Sequence, residues 1–312
     1  MSTSGYRRDV CVAVALALLV AGCDLDGEAV STDDAADPSS VADLAGVVGG
    51  PFDLANLPAR DMTNGKPADL GMLPHTNCKR GIAANVVPGA AFVPAVAWHY
   101  DWSLLRAGGV NGVEFVPMVW SSSTVGNPLP SGSRFLLAFN EPNFHVQSNL
   151  TPQQAASFWP MIQTQAAGLP LVSPALNFCG PAQDCNGTNP YQYFKDFFAA
   201  CPGCKVDYLA VHWYNCDLPS LKDYLEPGGN LEGFEQFGKP IWLTEFSCGG
   251  GATVADQEAY MRAAIPYLES NPKVYRYSWF SADPIPNAKL VNDDGTPTAL
   301  GKVYISLPQN CQ

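Results

Sequence analysis

Two glutamates stand where their surroundings suit acid–base chemistry. Phe135-Leu136-Leu137-Ala138-Phe139 runs into Asn140-Glu141-Pro142-Asn143, and Ile241-Trp242-Leu243-Thr244 runs into Glu245-Phe246. Each apolar run delivers a carboxylate where it breaks off. Splitting a glycosidic bond needs such a pair. One carboxylic acid protonates the leaving oxygen, and a second carboxylate attacks the anomeric carbon or activates water. Either glutamate alone reads equally well as an ion-pair partner or a solvated loop residue; the two together point to chemistry.

Other side chains gather around this expectation. His212 and Tyr214 are two apart in an apolar run, so both can face one mouth while Trp213 packs on the opposite side. A phenol donating to a carboxylate favours the ionised form that a nucleophile requires. Asn177 follows another apolar run and suits either sugar hydroxyls or a turn. Trp98, Trp102, Trp120 and Trp279 fall at or just beyond the ends of such runs, where flat indoles stack on pyranose faces. Trp159, Trp213 and Trp242 read as core. The chain has no HExxH, no G-x-S-x-G and no phosphate loop, so metalloprotease, esterase and nucleotide chemistry have no support. Neither a metal nor a cofactor is expected.

The elements that position these residues follow from periodicity. Candidate strands are 80–86, 95–99, 114–120, 135–140, 171–176, 206–214, 241–246 and 274–280. Helical stretches separate several of them, the pattern of βα units around a parallel sheet. Thr151-Pro152 reads as N-cap and first helical residue before 153–167, and Thr253 precedes a periodic run to Leu268. Eight strands in about 235 residues suit one compact (β/α)8 TIM barrel near its lower size limit. Glu141 and Glu245 then end the fourth and seventh strands, on the face where such barrels carry their active sites. A doubly wound open sheet is the rival, but no Gly-rich loop follows the first strand.

Composition sets the frame. Of 312 residues, 47% are apolar, 11% aromatic and only 15% charged, with a formal net charge of −12. An acidic chain repels phosphate backbones, which argues against nucleic acid, whereas low charge with many aromatics suits a neutral, ring-shaped substrate. Arg7 and Arg8 precede an apolar stretch, 10–20, too short to span a bilayer, and Val20-Ala21-Gly22-Cys23 follows. Residues 1–22 therefore read as a lipoprotein signal, with Cys23 lipidated and the chain exported and membrane-anchored. Residues 23–77 read as a disordered tether: ten acids stand there against Arg60 and Lys66, a local charge of −8. Residues 78–312 are the expected catalytic domain, acting as a monomer.

Export implies an oxidising compartment. With Cys11 removed and Cys23 lipidated, eight cysteines remain, which allow 105 connectivities. Topology suggests Cys216–Cys248 between adjacent strand ends, Cys78–Cys311 across the closure, and local Cys179–Cys185 and Cys201–Cys204 bonds. A zinc site lacks the paired spacing and histidine partners it needs. Cys201-Pro202-Gly203-Cys204 follows a helix rather than starting one, so it reads as a structural loop bond rather than a redox centre.

Asn140-Glu141-Pro142 together with Trp242-Leu243-Thr244-Glu245-Phe246 resembles the clan A glycoside hydrolases. More narrowly, four segments resemble glycoside hydrolase family 128, endo-β-1,3-glucanases built on a compact barrel. They are Val96-Ala97-Trp98-His99-Tyr100-Asp101-Trp102, Glu114-Phe115-Val116-Pro117-Met118, Asp207-Tyr208-Leu209-Ala210-Val211-His212-Trp213-Tyr214, and the run ending at Phe246. The resemblance covers residues 78 onward. It implies Glu141 as acid/base, Glu245 as nucleophile, Asn140 bonded to the sugar 2-hydroxyl and Tyr214 holding the nucleophile. The implied activity is retaining hydrolysis of β-1,3-glucan. A mannanase or xylanase of the same clan, or a surface barrel that binds glycans without cutting them, are the alternatives. Strict strand alternation would point Asn140 and Glu141 in opposite directions, so the strand must be ending there.

Overall fold

The computed structural model describes residues 78–105, 112–179, 184–187 and 189–311. The leader, the lipidation site Cys23 and the tether at 23–77 lie outside the described residues. No helix among the described residues is long and apolar enough to cross a membrane.

The architecture is α/β and TIM-like. Nine parallel strands form one sheet: β1 (Arg80–Ala83), β2 (Trp98–Tyr100), β3 (Glu114–Phe115), β4 (Met118–Val119), β5 (Leu136–Asn140), β6 (Leu171–Leu176), β7 (Tyr208–Trp213), β8 (Ile241–Phe246) and β9 (Val274–Phe280). Their order is β3-β2-β1-β9-β8-β7-β6-β5-β4. The two ends of that order, β3 and β4, are separated in the chain only by Val116 and Pro117. The sheet therefore curls back on itself. Proline lacks the N–H that the ladder needs, which accounts for the single expected strand 114–120 appearing as two short ones.

Among the described residues, five helices cover the sheet: α1 (Pro152–Ala166), α2 (Pro190–Ala200), α3 (Leu218–Leu225), α4 (Val254–Ser270) and α5 (Ala299–Ser306). Their starts obey local chemistry. Thr151 and Thr253 cap α1 and α4 through reciprocal bonds with Gln154 and Asp256, and Pro152 and Pro190 open α1 and α2.

Strand alternation divides the core in two. Val119, Leu209, Val211, Leu243, Phe246 and Tyr277 join the helices in one cluster, while Ala83, Trp98, Tyr100, Leu137, Ala210 and Trp242 fill the space enclosed by the sheet. Gly81 is required there: a Cβ on it would lie 2.3 Å from the Trp98 indole. Buried Arg80 ties β1 to β9 and the C-terminal segment, bonding the Tyr277 hydroxyl at 3.0 Å, the Tyr304 carbonyl at 2.9 Å and the Pro308 carbonyl at 2.6 Å. Four disulfides join Cys78 to Cys311, Cys179 to Cys185, Cys201 to Cys204 and Cys216 to Cys248.

Candidate active site

Glu141 and Glu245 meet at the carboxyl-terminal ends of β5 and β8, and local departures from strand geometry bring them there. Phe139 has φ +48° and Glu141 φ +38°, and the pairing of β5 with β6 shifts register between Ala138 and Asn140. Phe139 consequently packs outward against Phe158 of α1, ring centres 6.2 Å apart. Asn140 and Glu141 can then both line the cleft, which resolves their alternation conflict. In β8 the register shifts between Leu243 and Phe246, and His212 pairs with Glu245 where Thr244 would be next in step. Such a bulge re-aims a side chain. Non-glycine residues at positive φ carry strain on the order of 1–3 kcal/mol, a cost that clusters at functional sites.

The carboxylates are tightly held. His212 Nδ1 lies 2.9 Å from Glu141 Oε1 and 3.4 Å from Glu245 Oε2. One oxygen of each glutamate and a ring nitrogen of His212 all fall within 4.8 Å of one another. Asn177 Nδ2 donates to Glu141 Oε1 at 3.3 Å. Glu245 Oε1 accepts from the Tyr100 hydroxyl at 2.9 Å and the Trp102 indole N–H at 2.7 Å, and Oε2 accepts from Tyr214. Glu141, His212 and Glu245 are the one cluster of three potential metal ligands among the described residues. Tyr100, Trp102 and Tyr214 nevertheless present N–H and O–H groups to both oxygens of Glu245, occupying lone pairs that a cation would need. The arrangement suits a carboxylate that does its own chemistry.

Electrostatics pull both ways on Glu245. Burial raises the Glu245 pKa above its ordinary value; the nearby His212 charge opposes this, Glu141 adds to it, and the Tyr214 and Trp102 bonds oppose it. Burial disfavours the His212 cation, but Glu245, with the hydrogen bond and charge of Glu141, outweighs that and raises its pKa. Burial and then the Glu245 charge hold Tyr100 and Tyr214 well above the usual phenol range, so both remain donors.

The cleft, about 260 Å³, is lined by Trp102, Trp120, Asn140, Glu141, Tyr214 and Glu245 among the expected residues, with Asn85, Asp101, Gln147, Phe280, Ala282 and Pro284 besides. Asn140 Nδ2 donates to Gln147 at 3.1 Å, while its Oδ1 has no partner among the described residues. His212 and Asn177 are buried behind the carboxylates, bonding Glu141 rather than lining the cleft. Two tryptophans expected at the cleft lie elsewhere. Trp279 is fully buried on the helix side of β9, 5.0 Å from Phe246, with its N–H on the Ala288 carbonyl. A one-residue step in a strand reverses the face, and its neighbour Phe280 takes the cleft instead. Trp98 points inward but at the wrong level: it is fully buried, and its N–H donates to the Lys79 carbonyl at the start of β1. Tyr100 was not singled out from sequence, yet it stands two residues after Trp98 on β2 and two before Trp102, which lies just past the strand. That spacing was the available signal.

Residues 90–304 match the family model for the glycosyl hydrolase catalytic core. The chain is similar to a solved endo-β-1,3-glucanase of glycoside hydrolase family 128, subgroup II, from Sorangium cellulosum. Identity is 39%, covering 74% of this chain and 99% of that one, with a TM-score of 0.66. It is also similar to a subgroup I endo-β-1,3-glucanase from Amycolatopsis mediterranei solved with laminarihexaose, at 26% identity, 74% and 99% coverage and a TM-score of 0.61. The alkali-sensitive linkage protein 1 of Schizosaccharomyces pombe matches at 28% identity over 68% of this chain; the match takes in 40% of that longer protein. With its paired glutamates at the strand ends and this likeness along nearly the full length of a solved member, the chain is a glycoside hydrolase and belongs to glycoside hydrolase family 128.

Proposed function

We propose that the chain is a retaining endo-β-1,3-glucanase in which Glu245 is the nucleophile and Glu141 the acid/base. The observation that carries this reading is the close approach of the two carboxylates, bridged by His212 with one oxygen of each within 4.8 Å of the other. Inverting enzymes hold the pair about 6.5–9.5 Å apart to admit a water, whereas retaining ones hold it near 5–5.5 Å. The hydrogen bonds from Tyr214 and Trp102 pull Glu245 toward the anion that a nucleophile requires, against the burial that raises its pKa. Glu245 attacks the anomeric carbon while Glu141 protonates the leaving oxygen; Glu141 then takes a proton from the water that releases the sugar. Asn140 lines the cleft beside Glu141, where a sugar hydroxyl would meet it, and Trp102 and Trp120 offer stacking surface. The β-1,3 linkage is supported by the Sorangium cellulosum relative.

The same reading takes the curled sheet as an eight-stranded (β/α)8 barrel whose third strand is β3 and β4 together. It takes residues 1–22, from sequence alone, as the signal of a lipoprotein anchored at Cys23. The test of mechanism is the anomer released first, followed by proton NMR before mutarotation: a β-product is expected, and an initial α-product would end the retaining assignment. Azide should rescue Glu141→Ala on an activated aryl glycoside as a β-glycosyl azide. Curdlan and laminarin should be cut into mixed oligosaccharides while mannan and xylan resist; affinity for glucan without turnover would favour a binding barrel instead.

A further inference from the structure

The Glu245 carboxylate is held asymmetrically. Oε1 takes two donors, Tyr100 at 2.9 Å and Trp102 at 2.7 Å, whereas Oε2 takes the Tyr214 hydroxyl and faces His212 at 3.4 Å. Two donors use both in-plane lone pairs of Oε1. Tyr100 is fully buried and does not line the cleft. Its single hydroxyl proton has a second acceptor, the Thr244 carbonyl at 3.1 Å, but the carboxylate oxygen is nearer at 2.9 Å and, when ionised, the stronger acceptor. Trp102 reaches Glu245 from a left-handed backbone, φ +62°, a conformation that persists only where surroundings enforce it.

We infer that Tyr100 and Trp102 form a fixed two-donor pocket for the Glu245 oxygen that does not attack, leaving Oε2 as the nucleophilic atom. This rests on the retaining mechanism proposed above. In the first step Oε2 bonds to the anomeric carbon, the bond from that carbon to the leaving oxygen breaks, and that oxygen takes the Glu141 proton. Oε1 becomes the carbonyl oxygen of the glycosyl ester. In the second step water attacks the same carbon and gives a proton to Glu141, and the carbon–Oε2 bonding pair returns to the carboxylate. Negative charge then reappears over both oxygens, and the donors at Oε1 are already in place to receive it. An ester carbonyl is a weaker acceptor than a carboxylate, so the pair favours departure of Glu245 and assists the second step more than the first. Tyr100 is thus a positioning residue acting through the nucleophile, and Trp102 shares the role while also lining the cleft.

Tyr100→Phe removes one hydroxyl and keeps the ring stacked near Trp98, 6.0 Å away. Rapid-quench kinetics with 2,4-dinitrophenyl β-laminaribioside separate the two steps. Deglycosylation should slow on the order of tenfold, the scale of a lost hydrogen bond to a charged group, with the burst rate changed by less than about threefold. The Glu245 adduct should accumulate by intact-protein mass spectrometry. The acid limb of kcat/KM should also move to higher pH, a readout independent of the folded fraction. Equal slowing of both steps with an unmoved limb, or no change in either, overturns the inference. Trp102→Phe should repeat the change in partition and carries the test should Tyr100→Phe fail to fold. The wild-type enzyme separates the two claims. No burst, no adduct with a 2-deoxy-2-fluoro glycoside and an α-product would defeat the retaining mechanism, whereas a wild-type adduct with unaltered partition in both variants defeats only the oxygen assignment.

Discussion

Replacing Trp279 with alanine separates a core role from a cleft role, because the two predict opposite pairs of measurements. The indole is fully buried between β9 and its covering helices, 5.0 Å from Phe246 and 6.3 Å from Tyr260, with its N–H on the Ala288 carbonyl at 2.9 Å. A buried indole removes on the order of 150–250 Å² from water, worth about 4–6 kcal/mol at roughly 25 cal/mol per Å². Alanine retains part of that, and a cavity remains, so the expected loss is about 3–5 kcal/mol. At about 2–4 °C per kcal/mol for a domain of this size, Tm should fall by about 6–20 °C. Turnover of long glucans per folded molecule should stay near wild type, since Phe280 rather than Trp279 lines the cleft. Thermal unfolding and laminarin hydrolysis on one preparation, with active sites counted by a trapped adduct, give both numbers. A variant with wild-type Tm and impaired action on long chains would refute the placement.

Tyr214→Phe removes a donor to ionised Glu245. In the proposed mechanism the Glu245 anion is the active form, present above its pKa and lost as pH falls, and burial already raises that pKa. Losing a hydrogen bond to a charged group, about 1.5–3 kcal/mol, should raise it further and move the acid limb of kcat/KM up by about 1–2 pH units; an unmoved limb contradicts the assignment. Gly81→Ala places a methyl 2.3 Å from the Trp98 ring and should destabilise the enzyme by about 1–3 kcal/mol in urea unfolding, with wild-type stability arguing against so tight a fit. The Cys78–Cys311 bond closes a separation of 233 residues and should contribute about 2–4 kcal/mol. Cys78→Ser with Cys311→Ser should lower Tm accordingly, and an unchanged Tm would count against it.

Much of this enzyme is legible in its residue order because local rules suffice for it. β6, β8 and β9 coincide with the runs 171–176, 241–246 and 274–280, since a parallel strand covered on both faces is built mostly from apolar and aromatic residues. Thr151 and Thr253 mark helix starts because capping is chemistry between residues three apart. The two glutamates are visible as charges ending apolar runs, and the family resemblance rests on contiguous motifs around them. Three things required the tertiary structure. Whether Trp279 or Phe280 meets the cleft depends on strand parity, which composition does not reveal when both faces are buried. Whether Trp98 or Trp102 meets it depends on level, since Trp98 opens β2 and Trp102 lies two residues past its end, with two residues of rise separating base, middle and mouth. The left-handed turns at Phe139 and Glu141 and the shifted register at Glu245 are imposed by packing against neighbouring strands and against α1. Those distortions bring Asn140 and Glu141 to one side, and they bring Tyr100, 145 residues away in sequence, onto the oxygen of Glu245. No local propensity encodes such a contact; only curling the sheet creates it.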